Sequence, residues 1–269
     1  MNAFILFLTL LLAGSPEAVP TQAESTPEDP VWGSFQKVLD IGIKELKFKG
    51  KYGEFTHNAF DYKKLKNSSD GQALLKKQLE LLKKTPAPTR SLDKLAFWMN
   101  AYNFFTVIEI NNNFPVESMK DIGWKKVHHN VNGKNYSLDQ IEHEIIRPLN
   151  DPRIHFAVNC ASVSCPSLSS KIFVGQGIGR QMNELVYNAF KNPLHIRLED
   201  GELQMTKLLD WFGKDFKIFP YKGTAKFIEK YAPKELHEDI EGWIKYDWDI
   251  NDPEHVLKAI EKLGAKQIK

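Results

Sequence analysis

The two cysteines of this 269-residue chain stand five residues apart, in the run Asn159-Cys160-Ala161-Ser162-Val163-Ser164-Cys165-Pro166. Three chemistries suit that spacing. A tight turn can bring the two Cα atoms within the roughly 4.4–6.8 Å that a disulfide requires. A redox pair is the second, although the spacing is not Cys-x-x-Cys and no thioredoxin-like βαβ pattern surrounds it. The third is a thiolate nucleophile, for which Cys160, at the exit of a strand-like run, is better placed than Cys165, which Pro166 follows.

A nucleophilic thiol needs a base and a group to orient it. His143 sits beside Glu142 on a helix expected over Ser137–Arg147, close to an apolar face of Leu138, Ile141 and Ile145. It precedes Cys160 by seventeen residues, a distance that a helix-to-strand return can close. His155 is nearer in sequence. If Arg153–Val158 is a strand, however, alternation sets Ile154, Phe156, Val158 and Cys160 on one face and Arg153, His155, Ala157 and Asn159 on the other. That places His155 away from the thiol and favours His143 as its partner. Asn100 and Asn103, at i and i+3, interrupt the most apolar helix of the chain. Buried amides must find partners, so these two either brace neighbouring loops or line a cleft. His128 and His129 are adjacent and would face opposite ways on a strand. No His-x-x-x-His or Cys-x-x-Cys spacing occurs, so neither a metal nor a cofactor is expected.

Local patterns outline the elements that must hold these groups. Helices are expected over Trp32–Leu46 and Gly71–Lys84, and a short extended segment or hairpin near Gly50. Ser91 should cap a central buried helix that runs to Ile110 and stops before Asn111-Asn112-Asn113-Phe114-Pro115. Asn132-Gly133 and Asp200-Gly201 each sit between strand-like arms and predict hairpins. Ser137 and Gln140 form a capping box. Gly175, Gly177 and Gly179 lead into a helix over about Arg180–Phe190, but their spacing is not a dinucleotide fingerprint. Helices near Leu208–Phe216 and Gly223–Tyr231, a strand over Trp243–Asp249 and a helix over Pro253–Leu263 complete the chain. Helices broken by hairpins, without βαβ repetition, predict one α+β domain over residues 32–269 with a small, mostly antiparallel sheet.

At the amino end, the apolar core Phe4–Ala13 is too short to span a bilayer, which needs roughly 20 residues. With Thr21-Gln22-Ala23 behind it, residues 1–23 read as a signal peptide and residues 24–31 as a flexible leader. Removing 1–23, whose one charged side chain is Glu17, raises the formal net charge from +2 to +3. That weak, mixed excess does not predict nucleic-acid binding. No later segment predicts a membrane span. A periplasmic or secreted protein is expected.

Three ordered motifs, Phe97-Trp98-Met99-Asn100-Ala101-Tyr102-Asn103, Ser137-Leu138-Asp139-Gln140-Ile141-Glu142-His143 and Asp151-Pro152-Arg153-Ile154-His155-Phe156-Ala157-Val158-Asn159-Cys160, continued to Ser164-Cys165-Pro166, resemble the domain of unknown function 547 family. The resemblance covers roughly residues 85–200. Trp211, Asp215 and Phe216 look like that family's C-terminal extension. No agreed activity comes with the family, but the resemblance implies that the three motifs belong to one site. Papain-like and transglutaminase-like folds offer an analogy in combining helix-borne groups with thiol and imidazole. With His143 ahead of Cys160, the analogy requires a permuted order.

The leading expectation is a cysteine-centred hydrolase or acyl transferase. Cys160 is the nucleophile, His143 the base and Glu142 or Asn100 the orienting group. Asn100, Asn103, Arg153 and His155 bind a small-molecule or peptide ligand. The rival is a non-catalytic binding or structural module stapled by a Cys160–Cys165 disulfide.

Overall fold

The computed structural model describes residues 29–237 and 239–269. The expected signal peptide, and all but the last three residues of the expected leader, lie outside the described residues.

The first helix, α1 (Gly33–Gly42), buries Phe35, Val38 and Leu39. It stops short of the expected Leu46 because the apolar period changes to two. Leu46 and Phe48 point inward between Glu45, Lys47 and Lys49, and the segment becomes β1 (Ile43–Gly50). β1 pairs antiparallel with β2 (Gly53–Phe60), so the hairpin near Gly50 has two eight-residue arms. Asp61 and Ser68 then cap α2 (Tyr62–Asn67) and α3 (Ser69–Leu82), each side chain accepting a bond from a first-turn N–H.

At the centre lies α4 (Ser91–Asn113), in which every residue from Leu95 to Asn111 is buried. Such a helix has no solvent face and must be wrapped on all sides. Ser91 is its first helical residue rather than its cap; Arg90 takes that position without a side-chain bond. After α5 (Met119–Ile122) come β3 (His129–Val131) and β4 (Lys134–Tyr136). They are joined by Asn132 (φ 48°) and Gly133 (φ 79°), the two left-handed residues that a type I′ turn requires.

The capping box of Ser137 and Gln140 opens α6 (Leu138–Gln140). The helix then loosens into a π turn over Ile141–Ile146, where Arg147 N–H bonds the Glu142 carbonyl five residues back. Glu142 and His143 ride on that turn. Such π insertions are frequent at functional sites.

The strand expected over Arg153–Val158 is a 3₁₀ turn, Pro152–Phe156. Pro152 takes the first helical position, the Asp151 carboxylate accepts from Arg153 N–H, and Ala157 and Val158 both donate to the Ile154 carbonyl. Burial is continuous from Ile154 to Asn159, so no alternating faces exist. Without a strand, His155 is not set opposite Cys160.

Gly177 (φ 95°) opens α7 (Ile178–Ala189), slightly earlier than expected. β5 (Ile196–Glu199) and β6 (Glu202–Met205) turn at Asp200-Gly201, again with two positive φ values. The helix expected over Leu208–Phe216 is shorter: α8 (Lys207–Trp211) ends early, and Phe216 falls in a separate turn, Asp215–Lys217. α9 (Thr224–Tyr231) follows. Of the strand expected over Trp243–Asp249, only β7 (Gly242–Trp243) forms, parallel to β6. The remainder is irregular chain laid along the cysteine turn. There Ser164 and Val163 donate to the carbonyls of Asp247 (3.2 Å) and Asp249 (2.8 Å). α10 (Pro253–Lys262) and β8 (Lys266–Ile268) close the chain, β8 pairing with β1.

The architecture is α+β, with three small sheets among the described residues, ordered β2-β1-β8, β3-β4 and β5-β6-β7. All pairings are antiparallel except β6–β7. The largest apolar cluster surrounds α4. A second joins Phe156, Phe190, Phe216 and Phe227, and a third joins Phe48, Phe55, Val163, Val256 and Ile260. The cysteine turn and the irregular Tyr246–Ile250 chain run side by side, and this positions the site.

Candidate functional site

Buried amides build the cysteine turn. From α4, Asn103 Nδ2 donates to the Ala157 carbonyl (3.0 Å) and its Oδ1 accepts from Asn159 N–H (2.9 Å), clamping the exit of the 3₁₀ turn. Asn159 Oδ1 accepts from Ala161 N–H and from Asn251 Nδ2, while its Nδ2 donates to the Pro166 carbonyl. Tyr62 Oη donates to Asn251 Oδ1, extending the network. These contacts hold Ala161 at φ +62°, a left-handed conformation that a non-glycine residue rarely adopts. They fix the turn on which Cys160 sits.

Cys160 and Cys165 form a disulfide, their Cα atoms 6.2 Å apart. Cys165 is buried, whereas Cys160 is partly exposed. Hydrogen-bond donors gather at both sulfurs. Cys160 N–H reaches Cys165 Sγ at 2.9 Å, and Tyr246 Oη lies 3.3 Å from each sulfur. Ser162 Oγ donates to Tyr246 Oη (3.1 Å), which leaves the phenol proton directed to the sulfurs. Burial raises the Tyr246 phenol well above its ordinary value, against the Ser162 bond, so it keeps that proton.

The disulfide faces a cavity of about 400 Å³. Trp124, Trp211, Tyr246 and Trp248 form its aromatic wall, with Trp211 and Trp248 stacked at 5.8 Å. Asp139, Glu142, His143, His155, Lys125 and Lys126 supply its ionisable groups. Burial and the nearby Glu142 carboxylate both hold the proton on the buried Tyr102 hydroxyl.

The two imidazoles differ in what their nitrogens can do. Arg147 Nη1 donates to His143 Nδ1 at 2.9 Å. A guanidinium can only donate, so that lone pair is occupied and the ring proton sits on Nε2, 3.6 Å from Asp139 Oδ1. His155 has the opposite arrangement. Its Nε2–H donates to Asp215 Oδ2 (2.9 Å), and its Nδ1 is buried with no hydrogen-bond partner among the described residues. Phe212 stacks on the ring, centroids 3.9 Å apart. Arg147 grips the same carboxylate with Nε (2.7 Å) and Nη2 (2.9 Å). Burial alone would raise the Asp215 carboxyl, but the bonds and charges of His155 and Arg147 outweigh it and hold it well below the usual range. Burial lowers the His155 imidazole, with Asp215 and Glu142 opposing. His155 is therefore neutral at pH 7 and carries a free lone pair on Nδ1.

Glu142, His143, His155, Cys160 and Cys165 thus line one cavity, and Asn100, Asn103 and Arg153 do not. Asn100 pairs both amide atoms with the Phe173 backbone. Arg153 binds the Asp151 carboxylate, the Gly179 carbonyl and Asn183 Oδ1. Among the described residues no group of three or more His, Cys, Asp or Glu could hold a metal ion. His129 is stacked on Phe105 and bonded to the buried Glu109. Sequence reasoning did not reach Arg147, Asp215, Tyr246 or Trp248 as site residues. Sixty residues separate Asp215 from His155, and no local spacing links them.

Compared with known families, residues 88–188 match the one described as "Protein of unknown function, DUF547". The matched segment holds α4, the π turn, the 3₁₀ turn and both cysteines; Asp215, Tyr246 and Trp248 lie beyond it. No curated protein and no solved structure matches the chain.

Proposed function

From a chain that carries the DUF547 region, a family whose description names no activity, we propose a thiol-dependent hydrolase or acyl transferase of small or peptide substrates, exported to an oxidising compartment, periplasmic or extracellular. The observation that carries this reading is that His155, its Nδ1 unpartnered among the described residues and its Nε2 bonded to Asp215, which Arg147 also grips, lines the same cavity as Cys160. Neutral imidazole with a carboxylate on its far nitrogen is the base that a thiol nucleophile requires. His155 replaces His143 in that role, since Arg147 occupies the lone pair of His143.

In this scheme a reducing dithiol first cleaves the bond to Cys165 and is itself oxidised to a disulfide; the freed Cys160 thiol then gives its proton to His155 Nδ1. Asp215 holds the ring and stabilises the imidazolium. The thiolate attacks the acyl carbon, the leaving group takes the proton back from His155, and water or an acceptor resolves the thioester. The Tyr246 hydroxyl, 3.3 Å from Cys160 Sγ, favours the thiolate. No helix among the described residues is long and apolar enough to cross a membrane. A disulfide persists best outside the cytosol, which supports export.

The bond between Cys160 and Cys165 supports a second reading, a binding module in which the disulfide is structural. An activated aryl ester separates the two. Cys165→Ala, which leaves Cys160 unbridged, should hydrolyse it without reductant, and Cys160→Ala should not. His155→Gln in the Cys165→Ala background should lose about 10²-fold or more. Equal, background-level rates for Cys165→Ala and Cys160→Ala would favour the binding module.

A further inference from the structure

Two sulfurs of unequal exposure, bonded to each other at the floor of a ligand-sized cavity, suit a second chemistry. Cys160 is the partly exposed residue, and Cys165 is buried. The buried sulfur also accepts from a backbone donor, Cys160 N–H at 2.9 Å, which is closer than the Tyr246 and Ser162 hydroxyls that stand 3.3 Å from Cys160 Sγ, and that fixed donor suits it to carry negative charge. In thiol–disulfide exchange the attacked sulfur must be accessible and the leaving sulfur must be stabilised as thiolate. The structure gives these two tasks to different cysteines.

We infer that Cys160–Cys165 is an exchange-active pair that reacts with low-molecular-weight disulfides and dithiols, Cys160 being the exposed attacking sulfur and Cys165 the resolving one. The aromatic wall of Trp124, Trp211 and Trp248 and the cavity volume of about 400 Å³ fit a small aromatic disulfide rather than a folded protein. In the oxidising direction, Cys160 thiolate attacks one sulfur of the small disulfide R–S–S–R. A Cys160–S–S–R bond forms and one R–S⁻ leaves. Cys165 thiol then loses its proton to solvent and attacks Cys160 Sγ, closing the internal bond and expelling the second R–S⁻. The pair loses two electrons and the small disulfide gains them. A dithiol runs the same steps in reverse: its thiolate attacks Cys160 Sγ, Cys165 leaves as thiolate, and the second thiol of the reductant releases Cys160. Tyr246 is the positioning residue, its hydroxyl serving both sulfurs. The exchange shares Cys160 with the acyl-transfer reading and sets whether that thiol is free, but needs no acyl chemistry.

The test uses 5,5′-dithiobis(2-nitrobenzoate) as the small disulfide and the full chain, reduced and freed of reductant. Wild type should release two thionitrobenzoate ions per chain and retain no adduct by mass. Cys165→Ser should release one and keep the mixed disulfide, reacting about tenfold faster folded than in urea, while folded Cys160→Ser reacts about tenfold slower than in urea. Tyr246→Phe should slow the first release with its stoichiometry unchanged. A wild type that keeps its adduct, or Cys160→Ser reacting as fast as Cys165→Ser, would overturn the assignment. Loss of ester hydrolysis with this pattern intact would remove the acyl-transfer reading and leave the exchange standing.

Discussion

Asn103→Ala and Asn100→Ala delete the same group from the same buried helix, and the structure predicts that they part company. Without its amide, Asn103 leaves the Ala157 carbonyl and Asn159 N–H unpaired; without its amide, Asn100 leaves both polar atoms of the Phe173 backbone unpaired. Each orphaned buried group costs about 1–3 kcal/mol, so either variant should lose about 2–6 kcal/mol. Helix propensity offsets little of that, since Ala exceeds Asn by only about 0.7 kcal/mol or less. The difference lies in what the orphaned groups support. Asn103 holds the backbone that leads directly into Cys160, and Asn100 holds a loop thirteen residues beyond it. Urea melts followed by tryptophan fluorescence should give similar stability losses. Alkylation of the reduced thiols by iodoacetamide in buffer should change several-fold in Asn103→Ala and remain as in wild type in Asn100→Ala. Equal alkylation rates in the two variants, with equal stability losses, would refute the idea that α4 positions the thiol.

Acid should destabilise the protein through two histidines remote from the cavity. Burial lowers the His57 imidazole to about 4, and burial with the nearby His57 lowers His195 to about 3. Each also keeps a nitrogen without a partner among the described residues. The unfolded chain takes up these protons first, near pH 6.5, so their contribution is fully present above that pH. It is lost as pH falls toward about 4 and 3, with each histidine costing about 2 kcal/mol by pH 5. Urea melts at pH 7.5 and 5 check this, and a His57→Gln, His195→Gln pair with an unchanged pH slope would contradict it. Asp215→Asn should lose about 2–3 kcal/mol, because Arg147 and His155 share that carboxylate. It should also slow alkylation of Cys160; unaltered alkylation would detach Asp215 from the site.

What the sequence made legible was local. Asn132-Gly133 and Asp200-Gly201 required left-handed residues and received them; Ser137 and Gln140 met across three residues. The apolar circumference of α4 announced its burial. The run Ile154-His155-Phe156-Ala157-Val158 misled because an alternating apolar pattern fits a strand as well as a turn buried on all sides. Only Pro152 and Asp151 signalled the 3₁₀ start, and both were compatible with either. His155 consequently sat on the wrong face in the sequence reading, while the structure lines one cavity with it and Cys160. Asp215 and Tyr246 were out of reach for another reason. They meet His155 and Cys160 across 60 and 86 residues, distances over which periodicity carries no information.

The alkylation rate of Cys160 as a function of pH, measured on Cys165→Ala with His155 or His143 replaced in turn, tests the central claim most directly. A thiol paired with His155 should react as a thiolate at pH 6, well below the ordinary cysteine value of about 8.5. His155→Gln should return the profile to that ordinary value, and His143→Gln should leave it low. A profile that titrates near 8.5 with both histidines present, or one moved by His143→Gln and untouched by His155→Gln, would contradict the account.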